Sequence, residues 1–559
     1  MIVVTAKWWD KAVVYQVYPR SFKDANGDGV GDLQGILSKL GYLQKLGIDV
    51  IWLSPVFASP MKDNGYDISD YRDIASEFGT LEEMDELIAE ADKRGIKIIM
   101  DLVINHSSDQ HEWFKESKSS RTNPKRDWYI WEDPVDGRPP NNLRSIFGGS
   151  CWTYDEGTEQ YYFHSFAKEQ PDLNWENPEV RSALFGMVNW WLDRGIGGFR
   201  VDAITFIKKQ PVHENQEPDS FDGTAIVSPN QPGVGTFLQE MKDETFAKYD
   251  IFTVAEAPGV SSEELGEFAG EDGYFDMVIS FDHMDLELNE GAKWYPKKEW
   301  KLTDFKNAIT KDQQVIKEGG TTALYMENHD QPRSLSRFVA EKDHSVLTGK
   351  MLAATYFFLK GMPYIYQGQE IGMTNVKFDS LEEYDDISSH DQYTAAVREG
   401  YSEEVALDTL HRRSRDNART PMQWDASENG GFTEGTPWLK ANPNYSEINV
   451  EKALADPDSL FYFYQKLIAL RKESAVSDII QDGTYEQLLS ESEDVFVYTR
   501  TLGERRLVVF SNFTDSEVEV DADTADAQVV LNNYQEAPQL GGTITLRPYE
   551  TLVIDRIAK

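Results

Sequence analysis

GGFRVDAI, residues 197–204, carries the decision about the fold. It is an apolar run of strand length, introduced by two glycines and closed by a carboxylate, Asp202. Seven more short apolar runs extend outward from it in both directions. We read strands over Val13–Tyr18, Asp49–Ser54, Lys97–Val103, Gly197–Asp202, Ile251–Ala255, Met277–Phe281, Thr321–Met326 and Pro363–Tyr366. Amphipathic stretches such as Leu81–Arg94 and Val180–Arg194 separate them. Continuous apolar strands that alternate with helices are buried on both faces and pair in parallel, and eight such units predict a closed (β/α)8 barrel.

The alternation breaks three times. From Asn105 to about Asn177 the chain is rich in Trp, Tyr, Asn, Pro and Gly with little helical periodicity. A stretch that long is expected to be a small inserted domain over the barrel mouth. A second insertion is expected over about 370–438. After the helical run Phe461–Lys472 the pattern turns to strict alternation, in Val495–Thr501, Leu507–Ser511, Val518–Val520, Thr543–Leu546 and Thr551–Ile554. The expected organisation is therefore a barrel from 1–104 and 178–473, an insert at 105–177, and an antiparallel β-sandwich over 474–559.

With 55 basic and 96 acidic residues the formal charge is −41. Such a surface repels phosphate backbones and anionic headgroups, which argues against nucleic-acid and membrane partners. Cys151 is the single cysteine, so no intrachain disulfide framework exists. The first residues lack a basic stretch followed by a long apolar run, and no segment has about 18 consecutive apolar residues. A cytoplasmic monomer is expected.

Asp202 ends the fourth strand, Glu256 ends the fifth in IFTVAEAPG (251–259), and Asp330 follows the seventh in ALYMENHDQPR (323–333). In such a barrel these strand ends open onto one face, so the three carboxylates converge. Breaking a glycosidic bond needs a proton on the leaving oxygen and stabilisation of an oxocarbenium-like carbon, and an acid paired with a carboxylate supplies both. Arg200 lies two residues before Asp202 and so shares its face; its charge is expected to keep Asp202 ionised. Glu256 follows an apolar strand, and desolvation is expected to raise its pKa toward that of a usable acid.

Seven separated motifs carry a family resemblance: VVYQVYPRSF (13–22), DLVINHSSDQH (101–111), QPDLNWENP (170–178), GFRVDAI (198–204), VAEAPG (254–259), ENHDQPR (327–333) and SRDNARTPMQW (414–424). With these the chain resembles the α-amylase superfamily of glycoside hydrolases, and within it the oligo-1,6-glucosidase and α-glucosidase group. The resemblance implies Asp202 as nucleophile, Glu256 as acid/base, and Asp330 as the carboxylate that holds the sugar's hydroxyls. It implies that His106 and His329 bind the cleaved glucose, and that Asp63 and Tyr66 in KDNGYDISDY (62–71) hold and stack on it. An arginine of SRDNARTPMQW pairs with Asp63 and closes the pocket; Arg415 and Arg419 both remain candidates. A closed pocket implies attack from the chain end on small α-gluco-oligosaccharides.

In DANGDGVGDL (24–33), Asp24, Asn26, Asp28 and Asp32 are spaced by two or four, with Gly29 allowing a sharp turn. That spacing suits oxygen ligation of a hard cation, although Gly35 stands where an EF-hand has its bidentate glutamate. An acidic turn without metal is the other reading. The resemblance implies a structural Ca²⁺ here, with the Val30 carbonyl as a further ligand and no part in the chemistry.

Two residues bear on linkage. Ala203 follows the nucleophile where strict α-1,6 relatives carry Val, which implies room for an α-1,4-linked neighbour. Lys293, in GAKWYPKKEW (291–300), stands where α-1,6-preferring relatives place a lysine. An exo-α-glucosidase that cleaves α-1,6 bonds and some α-1,4 bonds is expected. Trehalose-6-phosphate hydrolase is the nearest alternative, with Lys293, Lys297 and Lys298 recruited for phosphate. Sucrose isomerase fits less well, because NHDQPRSLSRF replaces an arginine-rich loop. A non-catalytic glycosidase-like scaffold is disfavoured by the carboxylate pair.

Overall fold

Side-chain parity along buried strands builds the molecule. The computed structural model describes residues 7–557 apart from 221–222, 262, 271, 318–319, 523 and 525, so the first six residues of the stretch read for a leader lie outside the described residues. Eight parallel strands form in chain order: β1 Val14–Val17, β2 Val50–Leu53, β3 Lys97–Val103, β4 Gly198–Asp202, β5 Phe252–Glu256, β6 Met277–Ile279, β7 Ala323–Leu324 and β8 Met362–Tyr366. They pair in the order 6-5-4-3-2-1-8-7, and a bridge between Val278 and Thr322 joins the two ends. All eight expected strands are present, with most ends differing by one or two residues.

One parity packs the barrel interior, with Val14, Val50, Trp52, Ile99, Phe252, Val254, Met277, Tyr325 and Tyr364 in one cluster. The opposite parity, including Tyr15, Ile51, Ile98, Met100, Phe199 and Val201, packs outward against the helices. Asp101 on β3, Arg200 and Asp202 on β4, and Glu256 on β5 therefore share the interior parity near the strands' C-terminal ends. In register, Arg200 pairs with Asp101.

The surrounding helices begin where capping chemistry allows. Leu81–Asp92 starts from a capping box between Thr80 and Glu83, and Pro178–Asp193 starts from Asn177 with proline at its first position. The loop after β3 carries the antiparallel strands Trp131–Glu132, Gln160–Phe163 and Trp152–Asp155. It also contains the helix Glu112–Ser119, against the expectation of little helix; that helix has eight residues and buries only Phe114 and Ser117. After β8 come the helices Ile387–Arg398, Glu403–Arg413 and Asp416–Arg419.

At the C-terminal end a helix, Ser477–Asp482, precedes a five-stranded antiparallel sheet and a two-stranded one. Val497, Val508, Phe510, Val520, Ile544, Leu546 and Ile554 pack between them. The sheet's other face, with Phe496, Tyr498, Leu507, Val509 and Val553, joins the core that holds the barrel helices.

Candidate active site

Arg200 organises the strand ends. It is 2% exposed, and its Nη1 donates to Asp202 Oδ1 and to Asp101 Oδ1, each at 2.6 Å. Its Nη2 lies 2.8 Å from Glu256 Oε1. Asp202, Glu256 and Asp330 keep 11%, 16% and 28% of their side chains exposed, so they face an opening with the arginine sealed behind them. Glu256 is fixed on its other oxygen by the Ala203 amide, which donates to Oε2 at 2.8 Å.

Burial pushes the Glu256 carboxyl up to about 8; Arg200 opposes this, and the charges of Asp202 and Asp330 reinforce it. Burial also raises Asp202 to about 6, against the pull of Arg200. One guanidinium serves three carboxylates and desolvation outweighs its share, so Asp202 titrates above the usual carboxylate value while still losing its proton before Glu256. Asp330 goes the other way. Burial opposes its ionisation, yet His329, Arg415, Arg419 and Arg200 hold it well below the usual carboxylate range. The site thus places an acid that keeps its proton near neutrality beside carboxylates that have lost theirs.

The hairpin-like loop after β2 supplies Asp63 and Tyr66. Tyr66 stacks on His329 with ring centroids 5.5 Å apart and planes 9° from parallel, and its hydroxyl lies 2.6 Å from His329 Nε2. The Gln16 amide nitrogen donates to His329 Nδ1 at 2.8 Å, so the ring's proton sits on Nε2, which is 3.1 Å from Asp330. Burial pushes His329 down to about 3 and His106 to about 4, so both rings are neutral. His106 is 1% exposed and its Nε2 donates to the Tyr66 carbonyl at 3.0 Å, which makes it a brace under that ring.

Arg415 Nη2 lies 3.3 Å from Asp63 Oδ1, whereas Arg419 reaches Asp330 Oδ1 at 2.7 Å and the His329 carbonyl at 2.9 Å. The arginine opposite Asp63 is therefore Arg415. Ala203 sits in the left-handed region at φ +42° and belongs to the apolar cluster with Leu143, Trp152, Phe163 and Phe206. Its amide contact with Glu256 is the role the structure gives it. Lys293 stands apart from these groups. It pairs with Glu399 at 2.7 Å and lines a neighbouring cavity of about 420 Å³ with Arg144, Gly148, Asp391 and Gln392.

Sequence reasoning overlooked Asp101, Gln170 and Asp386. Asp101 accepts from Trp52, Tyr66 and Arg200. Gln170 donates to Asp63 at 3.1 Å, and Asp386 accepts from Arg415. For Asp101 a signal existed: it has the interior parity of an apolar strand.

The Asp24–Asp32 loop offers hard oxygen donors of the kind Ca²⁺ takes. Here its side chains cap the loop's own backbone. Asp24 accepts from the amides of Asn26, Gly27 and Gly29, Asn26 from that of Asp28, Asp28 from that of Val30, and Asp32 from those of Ala25 and Gly35. Among the described residues no three His, Cys, Asp or Glu side chains gather as a metal cluster, and no helix is long and apolar enough to cross a membrane.

Residues 16–483 match the family described as alpha amylase, catalytic domain, and residues 495–553 match the alpha-amylase SusG C-terminal domain. The chain is 48% identical to an oligo-1,6-glucosidase of Halalkalibacterium halodurans, over 98% of this chain and 99% of that one. Among solved structures it is similar to trehalose-6-phosphate hydrolase of Bacillus licheniformis, with TM-score 0.92 and 42% identity over 99% of this chain and 100% of that one. It is also similar to the isomaltulose synthase of Protaminobacter rubrum, with TM-score 0.93 and 40% identity over 99% of this chain and 100% of that one.

Proposed function

From the premise that the chain belongs to the α-amylase family of catalytic domains, we propose that it is a retaining, exo-acting α-glucosidase. It cleaves terminal α-1,6 bonds of short isomalto-oligosaccharides and some α-1,4 bonds. The observation that carries this reading is the pair of carboxylates, Asp202 and Glu256, gripped by adjacent nitrogens of one buried guanidinium. That grip holds them side by side, which suits direct attack at C1 rather than an interposed water.

Glu256 gives its proton to the glycosidic oxygen as the C1–O bond breaks, and an Asp202 oxygen forms the new bond to C1. Water then attacks C1, Glu256 takes back a proton, and the C1–Asp202 bond opens with the anomeric configuration retained. Asp330, ionised throughout, accepts hydroxyl hydrogens of the ring, and Tyr66 offers its face. Arg415 opposite Asp63 ends the cavity behind the glucose, which favours chain ends over interior bonds.

The lysines weighed for phosphate do not converge: Lys293 pairs with Glu399, Lys297 with Glu299, and Lys298 donates to the Leu288 carbonyl. This favours a neutral disaccharide over trehalose-6-phosphate. A structural Ca²⁺ in the Asp24–Asp32 loop belongs to the same reading, supported by the donor chemistry and by Gly29 at φ +95°.

A panel of isomaltose, maltose, sucrose and trehalose-6-phosphate tests the assignment, with isomaltose expected to give the highest kcat/KM. Activity confined to the phosphorylated sugar would overturn it. Asp202→Asn, a near-isosteric change, should lose turnover with the fold kept, and Asp202→Ala, which vacates the carboxylate's place, should regain turnover with azide as the β-glucosyl azide; wild-type turnover in Asp202→Asn would remove Asp202 from its role.

A further inference from the structure

Arg415 faces the sugar pocket, but its firmest partner lies behind it. Arg415 Nε donates to Asp386 Oδ1 at 2.7 Å and Nη2 approaches the same oxygen at 2.7 Å, whereas Asp63 and Asp330 stand at 3.3 and 3.4 Å. Asp386 is fully buried. Its other oxygen accepts from the Ser389 amide at 3.1 Å and hydroxyl at 2.7 Å, and Oδ1 also accepts from the Ser388 amide at 3.0 Å. It is thus the N-cap of the helix Ile387–Arg398. Its own amide donates to Asp416 Oδ2 at 3.0 Å, one residue beyond Arg415.

A long arginine between two more distant carboxylates has several rotamers open to it, and a short two-nitrogen grip on one fixed carboxylate selects one. The same helix carries Asp391 and Gln392 to the cavity beside the site. Building on the glucose-subsite reading above, we propose that Asp386 is the positioning residue that fixes Arg415, and through its capped helix ties the closed glucose subsite to the neighbouring cavity. Asp386 touches no substrate; it acts through Arg415.

The test separates positioning from folding. Asn caps helices as well as Asp, so Asp386→Asn keeps the helix while weakening the charged grip. We expect kcat/KM on isomaltose to fall at least about tenfold, mainly through KM, because a loosened Arg415 weakens binding in ground and transition states alike. The inhibition constant for free glucose, which fills the closed subsite alone, should rise by a similar factor. Melting temperature should stay within a few degrees. Ser402→Ala, which uncaps the neighbouring helix Glu403–Arg413 without contacting Arg415, should shift stability and leave both constants unchanged. Constants within twofold of wild type in Asp386→Asn, or equal losses in Ser402→Ala, would overturn the proposal while leaving the glucosidase assignment intact. Failure of the wild-type chain to cleave isomaltose or bind glucose would overturn both.

Discussion

At the scale of single residues, burial separates two carboxylates that the same arginine serves. Glu256 rises to about 8 and Asp202 to about 6, so between these values one carries its proton and the other does not. The kcat/KM profile should therefore be a bell with its acid limb set by Asp202 and its alkaline limb by Glu256. In Glu256→Gln, assayed with an aryl glucoside whose leaving group needs no proton, the alkaline limb should vanish; its persistence would assign that limb to another group. The same shift predicts a stability effect. Glu256 binds its proton more tightly folded than unfolded, so its contribution to stability is intact below the ordinary value of 4.5 and is lost as pH rises through about 8. Glu256→Gln cannot titrate, so its melting temperature should gain on wild type progressively from about pH 5 to about pH 9. A constant difference across that window would mean that Glu256 is not perturbed.

Elements differ in how openly the sequence declares them. β3 was legible to the residue, because a strand buried on both faces is a plain apolar run: KIIMDLV hides six of its seven side chains. The strand Thr484–Leu488 was not, since its side chains are only half-buried or exposed, and Gln528–Asn532 buries a single one, Leu531. Asp202 and Glu256 were legible because each ends such a run. Asp386 was not, because it sits in an insertion where its partners come from a segment 29 residues later with no periodicity to announce them. The Asp24–Asp32 loop stands between these cases: its spacing was visible and its occupancy was not. If Ca²⁺ binds this loop only when folded, a chelator should remove the binding free energy from the stability and so lower the melting temperature, while kcat/KM at moderate temperature is unchanged. An unchanged melting temperature together with no metal by elemental analysis would establish the loop as a self-capped acidic turn.

Across the whole molecule, the C-terminal sheet is a structural wall of the barrel. The helix Val346–Phe357 is buried along nearly its entire length, between barrel and sheet, with Thr355 bonded to Ser511 and Tyr498 donating to the Thr355 carbonyl. Lys306 extends from the helix Leu302–Lys317 to the carbonyls of Leu489, Ser492 and Val495. Arg500 is fully buried and donates to the carbonyls of Phe358 and Gly483. These charges meet backbone oxygens rather than carboxylates, so each arrangement is stable only while the two parts remain docked. Arg500→Ala would leave two buried carbonyls without donors, a loss of about 3 kcal/mol. For a chain of 559 residues, at ~2.1 cal/mol/K per residue of unfolding entropy, that lowers the melting temperature by roughly 2–3 °C. Because Arg500 lies far in the fold from the strand ends that carry Asp202 and Glu256, kcat/KM at moderate temperature should match wild type. Calorimetry and kinetics on the same preparation decide it. A separate low-temperature transition for the sheet, or lost activity without lost stability, would show that the sheet is an independent module rather than part of the barrel's wall.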